Sequence, residues 1–193
     1  MTNNVTVQYN GLVLLTGYLQ RLFVAETIYR RTNEPYDEKR FNEIKTLMDE
    51  VYTIVPSFEQ TGTFTMGQKV QLQLIVQKTE NLMSTYFKQM PLSFNQKLAI
   101  VGSSLYAEQH VNEGIIRLGE VFNVEINEDF KKRRKYYEQR TKLIDYIVFV
   151  LHHNEQPEEN ATKQIDPWFH DVMKNKSGIE EDFKQINELI ELN

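Results

Sequence analysis

The stretch SFNQKLAIVGSSLYAEQHVNEGIIRLGEV, Ser93 to Val121, decides the fold class. It opens on Ser93-Phe94-Asn95-Gln96, the spacing of a capping box. The Ser hydroxyl can accept an amide that the first helical turn leaves orphaned, while the Gln side chain reaches back. From there Leu98, Val101, Leu105, Val111, Ile115, Leu118 and Phe122 recur at helical spacing and give a long helix one apolar face.

The same signals recur along the chain. Thr65-Met66-Gly67-Gln68 and Ser177-Gly178-Ile179-Glu180 repeat the capping box, whereas Ser57 to Gln60 reads as a decoy. Asp166-Pro167 supplies an N-cap with proline at the first helical position. Asn127 precedes Glu128 and Asp129, acids that suit the positive end of a helix dipole.

The expected class is all-α. Gly11 to Arg31 is apolar on most faces and predicts a central helix. Asp37 to Val55 carries Phe41, Ile44, Met48, Val51 and Val55 in a stripe, with Pro56 as its stop. Met66 to Met90 carries Leu72, Ile75, Leu82, Met83, Tyr86 and Met90; Phe94 to Val121 and Glu128 to His153 complete five long helices. Two patterns compete locally. Val5, Val7 and Tyr9 alternate like a short N-terminal strand, and residues 64–76 around Gly67 alternate like a hairpin. Short loops predict a mainly antiparallel bundle over residues 1–153.

Residues 154–163 are polar, acidic and contain Pro157, so they read as a linker. Residues 164–193 form a C-terminal amphipathic helical segment expected to pack on the bundle. Trp168, Phe169, Val172 and Met173 crowd its short first helix, and Ile179, Phe183, Ile186 and Ile190 stripe its last. The acids around that stripe, from Glu180 to Glu191, complement a cationic block elsewhere in the chain.

Composition sets the outer bounds. With 193 residues and 40% hydrophobic content, the chain can bury a core as one domain with an appended segment. There is no cysteine, which excludes disulfides, thiol catalysis and Cys-ligated metals and fits a reducing compartment. The first ten residues hold no Lys or Arg, and no apolar run approaches the ~20 residues of a membrane span. The expectation is a soluble, cytoplasmic protein with no membrane partner.

Charge is distributed unevenly. Seven of the 22 bases lie between Lys131 and Lys142: Lys131, Lys132, Arg133, Arg134, Lys135, Arg140 and Lys142. Such a block attracts phosphates or acidic partners. On a helical wheel, Lys131, Lys135 and Lys142 oppose the apolar arc, whereas Arg133 and Arg140 lie on it beside Tyr136 and Tyr137. Either the first half of this helix projects past the core, or its arginines reach inward to carboxylates. Glu108 interrupts the apolar arc of the preceding helix, with Asn112 nearby, so a buried ion pair of Glu108 with Arg140, or with Arg133, is the expectation.

No catalytic motif accompanies these features. P-loop, dinucleotide-binding and serine-hydrolase signatures are missing, and His110-x-x-Glu113 reverses the order of bundle metal sites. His152 and His153 end a helix, where a cation suits the dipole. No cofactor and no metal are predicted. The sequence therefore reads as a non-enzymatic interaction protein, a regulatory or accessory factor of the kind carried by prokaryotes and their mobile elements. It would bind an acidic protein through the basic helix, with Tyr136, Tyr137, Trp168 and Phe169 as interface anchors. Nucleic acid is an alternative partner for the same helix, and the C-terminal segment is an alternative anchor for a partner or a second copy of the chain. The third class is an enzyme or ligand carrier with an inter-helix pocket near Glu108.

Overall fold

The fold is all-α, and its first helix begins where alternation favoured a strand. α1 spans Thr2–Arg31. Gln8, Tyr9, Leu12, Val13 and Leu15 are buried along it, so the spacing of Tyr9 from Val5 and Val13 is helical and continues the stripe of the later turns. Tyr9 fixes the assignment: its hydroxyl donates to Glu59 Oε1 at 2.7 Å and its ring packs against Phe58 and Phe122. This computed structural model describes residues 2–85, 92–174 and 178–191.

α2 covers Glu38–Thr61 and begins on Asp37, whose side chain accepts from the amides of Lys39 and Arg40. It runs through Pro56, which was expected to end it. The proline sits on the exposed side, while Ile54 and Phe58 on either side of it are buried and hold the helix against the core. The actual stop is Gly62, in the left-handed region at φ 66°, whose amide donates to Phe58 O. The buried face is Ile44, Leu47, Val51, Ile54 and Phe58; Phe41, Met48 and Val55 flank it.

α3, Met66–Thr85, replaces the alternative hairpin. The Thr65 capping box is complete, with Gln68 N donating to Thr65 Oγ1 and Thr65 N to Gln68 Oε1. Leu72, Ile75, Val76 and Met83 are buried at helical spacing, while Val70 and Leu74 stay exposed, so the alternation there is coincidental. Tyr86 and Met90 lie outside the described residues.

α4, Phe94–Phe122, forms as its sequence dictates. Both hydrogen bonds of the Ser93 box are present, and Asn123 caps the other end in the left-handed region. α5, Asp129–His152, follows; Asn127 Oδ1 accepts from Asp129 N at 2.9 Å. The segment read as a linker contains a single helical turn, α6, Glu159–Thr162, with Ala161 buried. α7 spans Ile165–Lys174, so Asp166 lies inside its first turn rather than capping it and instead pairs with Lys97 at 2.9 Å. α8, Ile179–Ile190, starts from Gly178; the Ser177 of its expected capping box lies outside the described residues.

Two apolar clusters meet along α1. The first gathers α1, α2, α3 and α8, with Phe58, Leu72, Phe183 and Ile186 at its centre. The second gathers α4, α5, α6 and α7 on Ile28 of α1. α4 approaches α1 closely at Gly114, where an added Cβ would lie 2.7 and 2.9 Å from the two γ-methyls of Val13. α8 packs on α1 and α3, not on the cationic block, and Tyr18 donates a hydrogen bond to Asp182 across the α1–α8 contact. Among the described residues the fully buried carboxylate is Glu26 on α1, 2.6 Å from Arg40 Nε. Among the described residues, no helix is long and apolar enough to cross a membrane.

Candidate functional site

Residues 131–136 are exposed without exception, and α5 first reaches the core at Tyr137, then at Thr141, Ile144, Ile147, Val148 and Val150. The first turns of α5 therefore project past the bundle, because their side chains are charged on every face and leave nothing to bury. Four of the seven bases pair with nearby acids. Lys131 meets Glu128 at 2.8 Å, Lys132 meets Asp129 at 3.2 Å, and Lys142 meets Glu138 at 2.6 Å, all within one turn of the same segment. Arg134 reaches across to α4, where Glu113 accepts from it through both carboxylate oxygens.

Arg133, Lys135 and Arg140 make no direct ion pair among the described residues. The arginines sit on aromatic rings instead. The Arg133 guanidinium lies 5.5 Å from the Phe130 ring centre. That of Arg140 lies 3.7 Å from Tyr136 and 5.1 Å from Trp168. Aromatic faces attract a cation through their quadrupole and leave its in-plane N–H groups available to an acceptor. The expected Glu108–Arg140 ion pair is thus not made: Arg140 turns toward Trp168 of α7, an element the helical wheel of α5 could not include.

Glu108 and Arg140 nevertheless line one cavity of about 660 Å³ at the seam between the two apolar clusters. α1 contributes Leu14, Gly17, Tyr18 and Arg21 to its wall; α4 contributes Val101, Ser104, Leu105, Ala107, Glu108, Val111 and Asn112; α5 contributes Phe130, Arg133, Tyr136, Tyr137 and Arg140. α7 closes one side with Pro167, Trp168, Asp171 and Val172. A shallower hollow bounded by Asp129 and Lys132 shares Glu108, Arg133, Tyr136 and Tyr137 with it.

Glu108 is exposed rather than buried. Protein atoms still crowd its carboxyl, and that desolvation pushes its pKa upward, against the opposing pull of Arg21. Asn112 is buried; its Nδ2 donates to Phe130 O at 2.9 Å, which pins the start of α5 to α4. Tyr137 is also raised, chiefly by burial and then by Glu108.

The remaining candidates fall away from this site or into structural roles. Phe169 is buried in the second cluster, so it anchors α7 rather than a partner. His110 is half-buried with Nε2 2.8 Å from Thr16 Oγ1, and burial lowers its pKa. No group of acids and histidines that could hold a metal occurs among the described residues. Sequence reasoning missed Arg21, whose only signal was that it interrupts an apolar helix. Compared with protein-family models, curated proteins and solved structures, the chain has no significant match in any of the three.

Proposed function

We propose that this chain is a non-enzymatic binding protein, a regulatory or accessory factor that engages an acidic protein partner through the projecting start of α5. The observation that supports this reading is the uninterrupted exposure of residues 131–136, five of them cationic, on a helix that the core does not need there. Lys131, Lys132 and Lys135 form the outer contact, with Lys142 about two turns beyond Lys135. Their same-helix ion pairs are worth only about 0.2–0.5 kcal/mol each, so an incoming carboxylate displaces them at little cost. Tyr136, 45% exposed, supplies an aromatic anchor within the same patch. Arg134, by contrast, is committed to Glu113.

The test uses fluorescein-labelled polyglutamate and a labelled DNA duplex, with binding to the purified chain followed by anisotropy across a salt series. Polyglutamate should bind with a modest salt slope, and the Lys131→Glu, Lys132→Glu, Lys135→Glu variant should lose that binding while keeping its helical signal and melting temperature. Tighter binding to DNA with a steep salt slope would transfer the surface to nucleic acid. Wild-type affinity in the triple variant would reduce the block to a solvated helix.

A further inference from the structure

We infer that the cavity between α1, α4, α5 and α7 is a binding site for a small organic monocarboxylate with an aromatic or aliphatic body. This goes beyond the partner surface, because the site lies at the seam of the two apolar clusters rather than on the outer face of α5. Its size falls within the range of small-molecule pockets, roughly 300–1,000 Å³.

The lining selects the ligand class. Most of it is apolar, including Leu14, Val101, Leu105, Val111 and Ile179, so the body of the ligand must be apolar too. Arg21 answers to Glu108 and to Asp182, so the charges left facing the cavity are Arg133 and Arg140 against Asp171, a net single positive charge. One carboxylate balances that charge. A phosphate group, carrying about −1.5 to −2 near neutrality, over-fills it and meets Asp171 as well.

Arg140 is the receiving group. Its guanidinium carbon lies 3.7 Å from the Tyr136 ring centre and 5.1 Å from that of Trp168, and no carboxylate pairs with it among the described residues. A planar guanidinium fixed by stacking presents parallel N–H groups that match a carboxylate in bidentate geometry. The same stacking excludes an ammonium ligand, since the aromatic faces that would cage it already carry a cation. Arg133, 5.5 Å from Phe130 and seven residues away on the same helix, adds attraction at the other end of the α5 wall.

Trp168 is the only tryptophan of the chain and lies in the wall, so its fluorescence reports occupancy directly. The experiment titrates the full chain with decanoate and 4-phenylbutyrate, with 4-phenylbutyramide and phenyl phosphate as the neutral and dianionic counterparts, by calorimetry and Trp168 emission. The two carboxylates should bind and shift the emission, and the amide and the phosphate should bind at least tenfold more weakly. Arg140→Gln should weaken carboxylate binding at least tenfold. Ala107→Phe, which fills the cavity without removing a charge, should abolish it, with the helical signal confirming that both variants fold. A Lys131→Gln, Lys135→Gln variant, whose positions line neither the cavity nor the adjoining hollow, should bind carboxylates normally, which separates this site from the partner surface. No carboxylate binding at millimolar concentration, equal binding of the amide, or unchanged binding in Arg140→Gln and Ala107→Phe would overturn the assignment.

Discussion

Gly114→Ala tests the contact on which the whole architecture turns, the approach of α4 to α1. The new Cβ would sit 2.7 Å from Val13 Cγ1, 2.9 Å from Cγ2 and 3.3 Å from Cβ. Carbon atoms rest at about 3.5–4.0 Å, so the helices must separate by several tenths of an ångström or more. Rotating Val13 gives no relief, because both methyls and the Cβ face the glycine and a β-branched side chain on a helix has one strongly preferred rotamer. Overpacking of this kind costs roughly 1–3 kcal/mol. Replacing a mid-helix glycine by alanine returns about 1 kcal/mol of helix propensity. The two effects leave a net destabilisation of up to about 2 kcal/mol. Val13→Ala alone removes two buried methyls and should cost about 1.6 kcal/mol at ~0.8 kcal/mol each, plus a cavity contribution. In the double variant the alanine Cβ occupies the vacated space, so it should be more stable than Val13→Ala alone by about 1 kcal/mol. Urea denaturation followed by the helical signal, with an unchanged m value, measures all four corners of the cycle. Stabilisation by Gly114→Ala in the wild-type background, with additive effects in the double variant, would refute this packing.

Three further outcomes are expected. Arg40→Met removes the Arg40 partner from the fully buried Glu26 and should cost about 3 kcal/mol in chemical denaturation, whereas adding Glu26→Leu should recover much of it; equal stability of the single and double variants would contradict a buried pair. Glu59 is held below the usual carboxylate range, first by its hydrogen bond from Arg117, so its contribution is present above the ordinary carboxyl pKa and lost as pH falls through the depressed one. The melting temperature of the wild type should exceed that of Glu59→Gln at neutral pH and converge with it in acid; a gap that widens in acid would reverse the sign. Deleting residues 178–193 removes Phe183, Ile186 and Ile190, all at 0% exposure, which at about 1.5–3 kcal/mol each rivals the ~5–15 kcal/mol stability of a typical domain. The truncated chain should lose its cooperative melt and bind a hydrophobic dye, and retention of a sharp melt would show that α8 is dispensable.

The elements with both a cap and a period were readable from the chain. Ser93 and Thr65 start α4 and α3 with complete capping boxes because those bonds are local and depend on four residues. Stops were less readable. Pro56 fails to end α2 because the burial of Ile54 and Phe58 outweighs one missing amide, and that burial is tertiary. The strand-like alternation of Val5, Val7 and Tyr9 likewise loses to a core that only the folded chain assembles. At the candidate site, exposure of the α5 bases followed from their spread over every face. The partner of Arg140 did not, because a wheel shows which face a residue occupies and not which helix arrives there: Trp168 comes from α7. Glu108 interrupted an apolar arc because that arc borders a cavity, whereas the buried carboxylate was Glu26, in a helix apolar enough to hide it.

The placement of α8 has a consequence for synthesis. The first apolar cluster takes Leu12, Leu15 and Leu19 from α1 and Phe183, Ile186 and Ile190 from α8, so it cannot close until nearly all the intervening chain has left the ribosome. The second cluster uses α4 through α7 and takes Ile28, with Val24 and Tyr29 beside it, from α1, so it can consolidate before α8 emerges. Translation at about 5–20 residues per second thus leaves a leucine-rich groove on α1 open for roughly ten to thirty seconds, and that groove is the surface a holding chaperone would cover on the nascent protein.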